Sequence, residues 1–173
     1  MHKVLRMSVH YEWYTPPWIV ARVKQLLGVI DLDPASNTVA QQIVQAHHWC
    51  GFDHPDPTMR DGLLVDWSQY RSVFLNPPYG RYIVPFAQKV ANYATTLPMV
   101  VLVPARFSTR WWSLLNCGRY SLVLFSQPIR FFTTATKEAN ANAPFPVALL
   151  CYNCAIDRVA ELFHDQLLYR PVV

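Results

Sequence analysis

The sequence predicts an α/β fold of three layers, with a mostly parallel sheet and helices on both of its faces. Short, fully apolar segments such as Val73–Leu75 and Met99–Val103 are typical of strands that are buried on both faces. They alternate along the chain with segments whose apolar residues recur at helical spacing. The chain has 173 residues, the size of one ordinary domain, so we expect residues 1–173 to form a single domain.

The first element is a helix over Trp18–Leu27, whose apolar residues lie on one face. Pro16-Pro17 opens this helix, with Thr15 as a natural N-cap and Pro16 as the first helical residue. Gly28 is expected to stop it. The apolar segment Val29–Leu32 then predicts a short strand.

A second helix is predicted over Thr38–His48, with Ser36 or Asn37 as its N-cap. Cys50–Gly62 carries Gly, Asp, His and Pro in quick succession, which is typical of a loop. The alternation then continues to the end of the sequence. The predicted strands are Val73–Leu75, Met99–Val103, Ser121–Phe125, Ile129–Thr133 and Val147–Tyr152, and the predicted helices are Val84–Ala94, Thr109–Cys117 and Asp157–Leu168.

Two of the predicted strands end in clusters of polar residues and prolines. Asp33-Pro34-Ala35-Ser36 follows the first strand, and Asn76-Pro77-Pro78-Tyr79 follows Val73–Leu75. Ligands of open α/β sheets bind beyond the carboxyl ends of the strands. These two clusters are therefore the candidate functional site.

The motif Asn76-Pro77-Pro78-Tyr79 suits methylation of a planar amino group. The lone pair of such a nitrogen is delocalised, so the nitrogen is a weak nucleophile until acceptors draw it toward tetrahedral geometry. The side-chain oxygen of Asn76 and the backbone carbonyl of Pro77, which a proline ring holds rigid, are such acceptors. Tyr79 offers a face on which an extracted base can stack. At average composition, this tetrapeptide arises by chance on the order of once in a thousand chains of this length.

Other segments contribute candidate contacts to a cofactor. A carboxylate at the end of the first strand suits the positively charged methionine part of S-adenosylmethionine or a ribose hydroxyl, and Asp31 competes with Asp33 for this role. Asp66 is placed to accept a hydrogen bond from the cofactor's adenine, with Trp67 packing beside the ring. Taken alone, Asp33-Pro34 is more often a plain turn, whereas Thr15 is equally compatible with a simple helix cap and Asp66 with a surface position.

The composition restricts the class of protein. The formal charge of +4 suits a polyanionic partner, although no basic tail is present. The sequence starts without a signal peptide, has no apolar run long enough for a membrane span, and has four cysteines, so we expect a cytoplasmic protein with free thiols. The cluster His47–His54 matches no zinc-binding spacing, and no metal site is expected.

With these motifs in place, the sequence resembles the phage-type DNA N6-adenine methyltransferases over most of its length. The resemblance runs from Glu12-Trp13-Tyr14-Thr15-Pro16-Pro17 through Ile30–Ser36, Asp61-Gly62-Leu63 and Trp67 to Phe74–Gly80. It continues over Leu102–Arg106, Trp111-Trp112, Arg130-Phe131-Phe132 and Ala143–Pro146.

The resemblance implies a Rossmann-like fold that uses S-adenosylmethionine as cofactor and DNA as substrate, with base flipping. It implies a catalytic motif of Asn76, Pro77, Pro78 and Tyr79. It also implies cofactor contacts from the following residues: Thr15, Pro16, Asp33, Pro34, Ala35, Asp66 and Trp67. No separate target-recognition domain is expected, which leaves the residues between Arg106 and Arg130 and the loop Thr133–Pro146 to select the DNA sequence.

Two alternatives share the same core. Motifs of this type also serve methylation of RNA adenine and of protein glutamine, but the basic charge favours a nucleic acid, and the resemblance favours DNA. An inert nucleic-acid-binding protein on the same fold is the other alternative. The intact Asn76–Tyr79 motif argues against it.

Overall fold

The structure is a computed structural model that describes residues 13–133 and 136–169. Five helices and nine strands are present in these ranges. The helices are α1 (Pro17–Leu27), α2 (Thr38–Val44), α3 (Ile83–Tyr93), α4 (Arg110–Leu115) and α5 (Ile156–Leu162). The strands are β1 (Leu32–Asp33), β2 (His48–Trp49), β3 (Val73–Leu75), β4 (Met99–Pro104), β5 (Tyr120–Leu124), β6 (Arg130–Thr133), β7 (Thr136–Asn142), β8 (Val147–Tyr152) and β9 (Leu167–Tyr169).

Seven of these strands form one sheet in the order β2-β1-β3-β4-β8-β5-β9. The first four are parallel to one another, whereas β8 is antiparallel to both β4 and β5, and β9 is antiparallel to β5. The sheet is therefore mixed, with a parallel half and an antiparallel half, and the predicted mostly parallel sheet needs this correction. An apolar run predicts a buried strand but carries no information about the direction of its neighbour.

Helices cover both faces of the sheet, as predicted. Successive residues of a strand point to opposite faces, so Val73 and Leu75 pack with α3 and α4, while Phe74 packs with α1 and α5. Both clusters extend through β4 and β8, whose residues are all buried. The result is a three-layer α/β arrangement. No helix in the described ranges is long and apolar enough to cross a membrane.

The first half of the chain differs from the prediction at two elements. Strand β1 begins only at Leu32, because the Ser72 hydroxyl donates to the Val29 carbonyl (2.6 Å) and accepts from the Asp31 N–H (3.1 Å) in place of regular ladder bonds. Helix α2 stops at Val44 instead of His48. Gln45 takes a left-handed conformation (φ 50°) there, and the chain turns to form strand β2. The Asn37 side chain caps this helix by accepting from the Ala40 N–H.

The C-terminal part also departs from the prediction. The predicted helix Asp157–Leu168 is α5 only as far as Leu162, and Leu167–Tyr169 instead pairs with β5 as strand β9. The predicted loop Thr133–Pro146 contains strand β7, which pairs with β6 in a separate two-stranded sheet. Both new strands satisfy their backbone groups by pairing with a strand that the sequence did predict.

Candidate active site

The two polar-proline clusters meet at one edge of the sheet. Strands β1 and β3 are parallel neighbours, with Leu32 paired to Val73, so Asp33 and Asn76 leave the sheet side by side. An open cleft of about 530 Å³, counting the space open to solvent, lies at this edge. Its lining includes Trp13, Tyr14, Thr15, Asp33, Ala35, Ser36, Asn37, Asn76, Pro77, Pro78 and Tyr79. Residues of both predicted clusters therefore line one cleft.

Asp33 places a buried carboxylate in this cleft. Only 3% of the residue is exposed, and burial raises the pKa of the carboxyl group to about 6. Hydrogen bonds oppose this shift: Gln41 Nε2 donates to Oδ2 (2.9 Å), and the Ala35 N–H donates to Oδ1 (3.4 Å). No lysine or arginine of the described residues forms an ion pair with Asp33. The cleft therefore holds an acceptor that a cation or a hydroxyl group would stabilise.

Asp31, the competing carboxylate, has a different environment. It accepts from the Arg71 N–H (2.8 Å) and lies 3.7 Å from the Arg71 guanidinium and 3.6 Å from the His47 ring. It is not among the residues that line the cleft. Of the two aspartates, Asp33 is the one that reaches the cavity.

Two glycines lie directly against the loop that carries Asp33, a contact that the sequence did not predict. A Cβ atom on Gly62 would lie 1.9 Å from the Pro34 carbonyl oxygen, and one on Gly51 would lie 2.0 Å from that of Ser36. No side chain fits at either position without moving the loop. The one sequence signal that could have pointed to these positions is that glycine is rare in this chain, which has only five.

The side-chain amide of Asn76 is oriented by the segment that precedes α1. Its Nδ2 donates to the backbone carbonyl of Trp13 (2.7 Å) and to the Thr15 hydroxyl (3.2 Å). A carbonyl can only accept, so the nitrogen of the amide must be the atom that faces Trp13. No described residue donates to the remaining atom, Asn76 Oδ1. The amide thus uses both of its donor hydrogens within the protein and keeps its acceptor free.

The residues that follow Asn76 complete the motif. Within the described chain no N–H donates to the Pro77 carbonyl, which is a second free acceptor. The Tyr79 ring is half-buried and meets the Phe145 ring edge to face, with the ring centroids 5.6 Å apart. The Tyr79 hydroxyl is buried and has no hydrogen-bond partner among the described residues, and burial raises its pKa far above the usual value.

A second cavity adjoins the cleft. It measures about 870 Å³, counted in the same way, and Trp13 and Tyr79 line both cavities. The other residues around it are Gly80, Ile83, Pro104, Arg106, Trp111, Pro144 and Phe145. Aromatic rings and one guanidinium group, which lies 5.6 Å from the Phe145 ring, dominate its wall. Such a wall suits a flat, electron-rich ring system.

Comparison with protein families gives one match. The family model for DNA N-6-adenine-methyltransferase (Dam) matches residues 3–158, which is most of the chain. The chain belongs to this Dam family. No curated protein matches it.

In this Dam-family chain, Thr15 and Pro16 do not occupy the helix-capping positions that the sequence predicts. Helix α1 begins at Pro17, Pro16 is the N-cap, and no side chain caps the helix. Thr15 is 4% exposed and directs its hydroxyl to Asn76 instead. The Thr15 side chain therefore lies in the cleft beside Asn76. Glu12, with which the resemblance begins, lies outside the described residues.

Asp66 and Trp67 of the Dam-family chain do not line the cleft. Asp66 is exposed and accepts hydrogen bonds from the Ser68 hydroxyl (2.8 Å), the Ser68 N–H (3.0 Å) and the Tyr93 hydroxyl (2.9 Å). These bonds, the one from the Ser68 hydroxyl foremost, lower the pKa of Asp66 to about 2. Trp67 is fully buried, donates from Nε1 to the Gly62 carbonyl (2.9 Å) and stacks on Tyr93. In this conformation, both residues support the turn that brings Gly62 against Pro34.

The basic residues of the Dam-family chain have different environments. Lys89 is partly buried, donates to the Leu63 carbonyl (2.8 Å) and lies beside the Trp67 ring. Six exposed arginines form no ion pair with any carboxylate of the described residues. These are Arg60, Arg81, Arg106, Arg110, Arg119 and Arg130. Arg106 lines the second cavity, and Arg81 directly follows Gly80, which also lines it.

Proposed function

We propose that the protein transfers a methyl group from S-adenosylmethionine to the N6 amino group of adenine in DNA, on a single Rossmann-like domain. The observation that carries this proposal is the orientation of Asn76, whose donors are occupied and whose acceptor oxygen receives no hydrogen bond from any described residue. An amino group needs acceptors and not donors at the reacting position. Membership of the Dam family agrees with the adenine specificity.

The residues of the first cleft suit S-adenosylmethionine. The carboxylate of Asp33 is buried without a cationic partner, and a positively charged ligand would stabilise it there. Thr15, Pro34 and Ala35 border the same region, and backbone contacts from Gly51 and Gly62 hold the Asp33 loop in place. When bound, S-adenosylmethionine supplies the electrophilic methyl group.

The protein's contribution to the chemistry is made by two oxygens. Asn76 Oδ1 and the Pro77 carbonyl accept hydrogen bonds from the two N–H groups of the adenine amino group. These bonds draw the nitrogen toward tetrahedral geometry and stabilise the positive charge that develops on it. The prolines restrict the backbone that carries the Pro77 carbonyl, and Trp13 and Thr15 orient the Asn76 amide, so both oxygens are in place before the substrate arrives.

We place the target adenine in the second cavity, against the ring of Tyr79. A base within a duplex cannot enter this cavity, so the adenine must be flipped out of the helix, at a cost of a few kcal/mol of unstacking. Stacking on an aromatic ring offsets part of that cost. Tyr79 lines both cavities, so a base beside it would lie next to the cofactor cleft.

The unpaired arginines are assigned to the DNA backbone. Arg106 and Arg81 flank the second cavity and carry no internal counter-charge, so they are available to phosphates. Selection of the DNA sequence is assigned to the residues between Arg106 and Arg130 and to residues 133–146. The β6–β7 hairpin lies within and beside these segments.

The decisive experiment offers DNA, RNA and total protein in parallel as acceptors for a labelled methyl group, with Asn76→Ala as the inactive control. Label should enter DNA, and digestion to nucleosides should yield N6-methyladenine. Label in RNA or protein, or N4-methylcytosine as the product, would overturn the assignment of the substrate.

A further inference from the structure

The segment Trp13–Thr15 contributes no reacting group to the proposed mechanism. It runs beside the catalytic motif and supplies both acceptors of the Asn76 amide nitrogen, the Trp13 carbonyl at 2.7 Å and the Thr15 hydroxyl at 3.2 Å. Thr15 is 4% exposed and caps no helix. The position of its hydroxyl therefore has no explanation in the stability of α1.

The orientation of this amide decides whether Asn76 helps or hinders an amino substrate. Rotation by 180° about the terminal torsion exchanges oxygen and nitrogen at almost no cost in shape. In one orientation Oδ1 accepts from the substrate, and in the other an NH₂ group faces another NH₂ group. The two acceptors on the side of Trp13 and Thr15 distinguish these orientations, because only the nitrogen can donate to them.

The segment itself is held from three sides. Tyr14 pairs with Phe132 of strand β6 through two backbone hydrogen bonds of 2.9 and 3.1 Å. The Tyr14 hydroxyl accepts from Asn37 Nδ2 (3.2 Å), at the N-cap of α2. The Trp13 ring packs edge to face on Phe131, with centroids 5.6 Å apart. The acceptors are thus fixed before Asn76 engages them.

We propose that Thr15 is a positioning residue: its hydroxyl, together with the Trp13 carbonyl, locks the Asn76 amide with Oδ1 toward the acceptor substrate. The inference rests on the proposed function, since it concerns the same catalytic oxygen. Hydrogen bonds from Nδ2 also polarise the amide and increase the negative charge on Oδ1. This role is distinct from a contact between Thr15 and the cofactor.

The first test measures Asn76 directly in the ligand-free protein. The side-chain Nδ2 hydrogens give a pair of ¹H–¹⁵N signals, which their loss in Asn76→Ala assigns. Both should exchange slowly with solvent in the wild type and in Thr15→Ser, which keeps the hydroxyl. In Thr15→Val, which is nearly isosteric but cannot accept, exchange should be about tenfold faster, because a hydrogen bond is lost. Equal exchange in all three proteins would overturn the inference.

The second test separates positioning from cofactor binding. Thr15→Val should lower the single-turnover rate at saturating S-adenosylmethionine about 5- to 30-fold, the effect of one hydrogen bond, with the Kd of S-adenosylmethionine unchanged. Thr15→Ser should restore most of the rate. A raised Kd with a normal rate at saturation would make Thr15 a cofactor contact and would refute the positioning role.

A third variant covers the case in which Thr15→Val does not fold. Asn76→Asp retains acceptor oxygens but places a carboxylate oxygen against the Trp13 carbonyl, where only a donor fits. Its rate should fall at least about tenfold. A rate equal to that of the wild type would show that the hydrogen bond to the Trp13 carbonyl is not needed, which would overturn the inference. All rates are measured on whichever acceptor the wild type methylates, so failure of the DNA assignment is detected separately.

Discussion

The loops after β1 and β3, which line the candidate site, differ in the hydrogen-bonding groups that they leave available to a ligand. The loop after β1 buries a carboxylate and surrounds it with donors, from Gln41 and Ala35, but with no cation. The arrangement after β3 is the reverse: Trp13 and Thr15 occupy the donors of Asn76, and no described residue donates to its oxygen. The first arrangement suits a ligand that brings positive charge, whereas the second suits a neutral amino group.

The difference also appears in the energetics. Burial of the Asp33 carboxylate is unfavourable in the ligand-free protein, as its raised pKa shows. The amide of Asn76 is neutral and satisfied on its donor side, so its position adds no comparable penalty. Binding of cofactor and binding of substrate should therefore respond separately to mutation, and the following variants test this separation.

The largest effect is expected from Asn76→Ala. Loss of the acceptor oxygen should reduce the methyl-transfer rate by about a hundredfold or more, because that oxygen acts mainly in the transition state. The affinity for S-adenosylmethionine should remain within about twofold of the wild-type value, near the limit of additivity for independent sites. Single-turnover rates and calorimetric titration of the cofactor measure the two quantities. A parallel loss of both would mean that the two strand ends act as one site.

Tyr79 should show the next largest effect. Removing the ring in Tyr79→Ala should lower activity about 5- to 150-fold, the equivalent of one base-stacking interaction. Tyr79→Phe should remain active, because the proposed role needs the ring face and not the hydroxyl. The hydroxyl is buried without a partner, so Tyr79→Phe should also raise the free energy of unfolding by about 1 kcal/mol.

Activity assays and urea unfolding of both Tyr79 variants test this expectation. Fluorescence of 2-aminopurine at the target position reports whether the base leaves the stack. If the signal stays quenched in an active complex while Tyr79→Ala turns over normally, the flipped base does not lie against this ring.

The Asp33 loop should control cofactor affinity. Asp33→Asn should weaken S-adenosylmethionine about 10- to 100-fold, since a charge-assisted contact to a cationic ligand is lost. Asp31→Asn is the matched control, because Asp31 pairs with Arg71 and His47 outside the cleft. Titration of the cofactor into both variants decides between them. A larger effect from Asp31→Asn would reverse the assignment.

The pKa of Asp33 adds a pH dependence of defined sign. As pH falls through about 6, the carboxylate is protonated and the wild type should lose cofactor affinity, whereas Asp33→Asn should not change. Stability should move the other way. A raised folded-state pKa stabilises the ligand-free fold at low pH, and this contribution, at most about 3 kcal/mol, is lost as pH rises through 6. Comparison of the unfolding free energies of the wild type and Asp33→Asn at pH 5 and at pH 7 isolates this contribution.

Sequence reasoning located the two strand ends but could not supply the orientation of their groups. Strand Val73–Leu75 has the predicted bounds, Gly28 ends α1 and Asn37 caps α2, because each depends on local chemistry. The Trp13 carbonyl that orients Asn76 lies 63 residues away and belongs to the backbone. A backbone carbonyl has no sequence signature, so this contact could not have been predicted.

Dependence on contacts distant in sequence also explains why the strand directions and edge strands of the sheet were not predicted. The antiparallel half and the edge strands β2 and β9 depend on which strand lies next to which, whereas an apolar run reports only that it is buried. The two glycines against Pro34 and Ser36 also depend on contacts distant in sequence. Local signals predicted the candidate strand ends, and long-range contacts determine how their groups are oriented.

The smallest effect is expected from Asp66, and it tests how far the cofactor site extends. Resemblance implies a contact with the cofactor's adenine, whereas the structure ties this carboxylate to Ser68 and Tyr93 outside the cleft. We expect the Kd of S-adenosylmethionine for Asp66→Ala to stay within about twofold of the wild-type value. Its Tm should fall slightly, because the hydrogen bond by which Asp66 caps the Ser68 N–H is lost. Asp66→Asn, which keeps one acceptor oxygen, should have a Tm closer to that of the wild type.

The contribution of Asp66 to stability should also depend on pH. Because hydrogen bonds lower the pKa of Asp66 to about 2, this contribution is present above pH 4 and should disappear only as pH falls toward 2. A tenfold weaker cofactor in Asp66→Ala at unchanged Tm would instead show that the turn carrying Gly62 closes over the cofactor and brings Asp66 to its adenine.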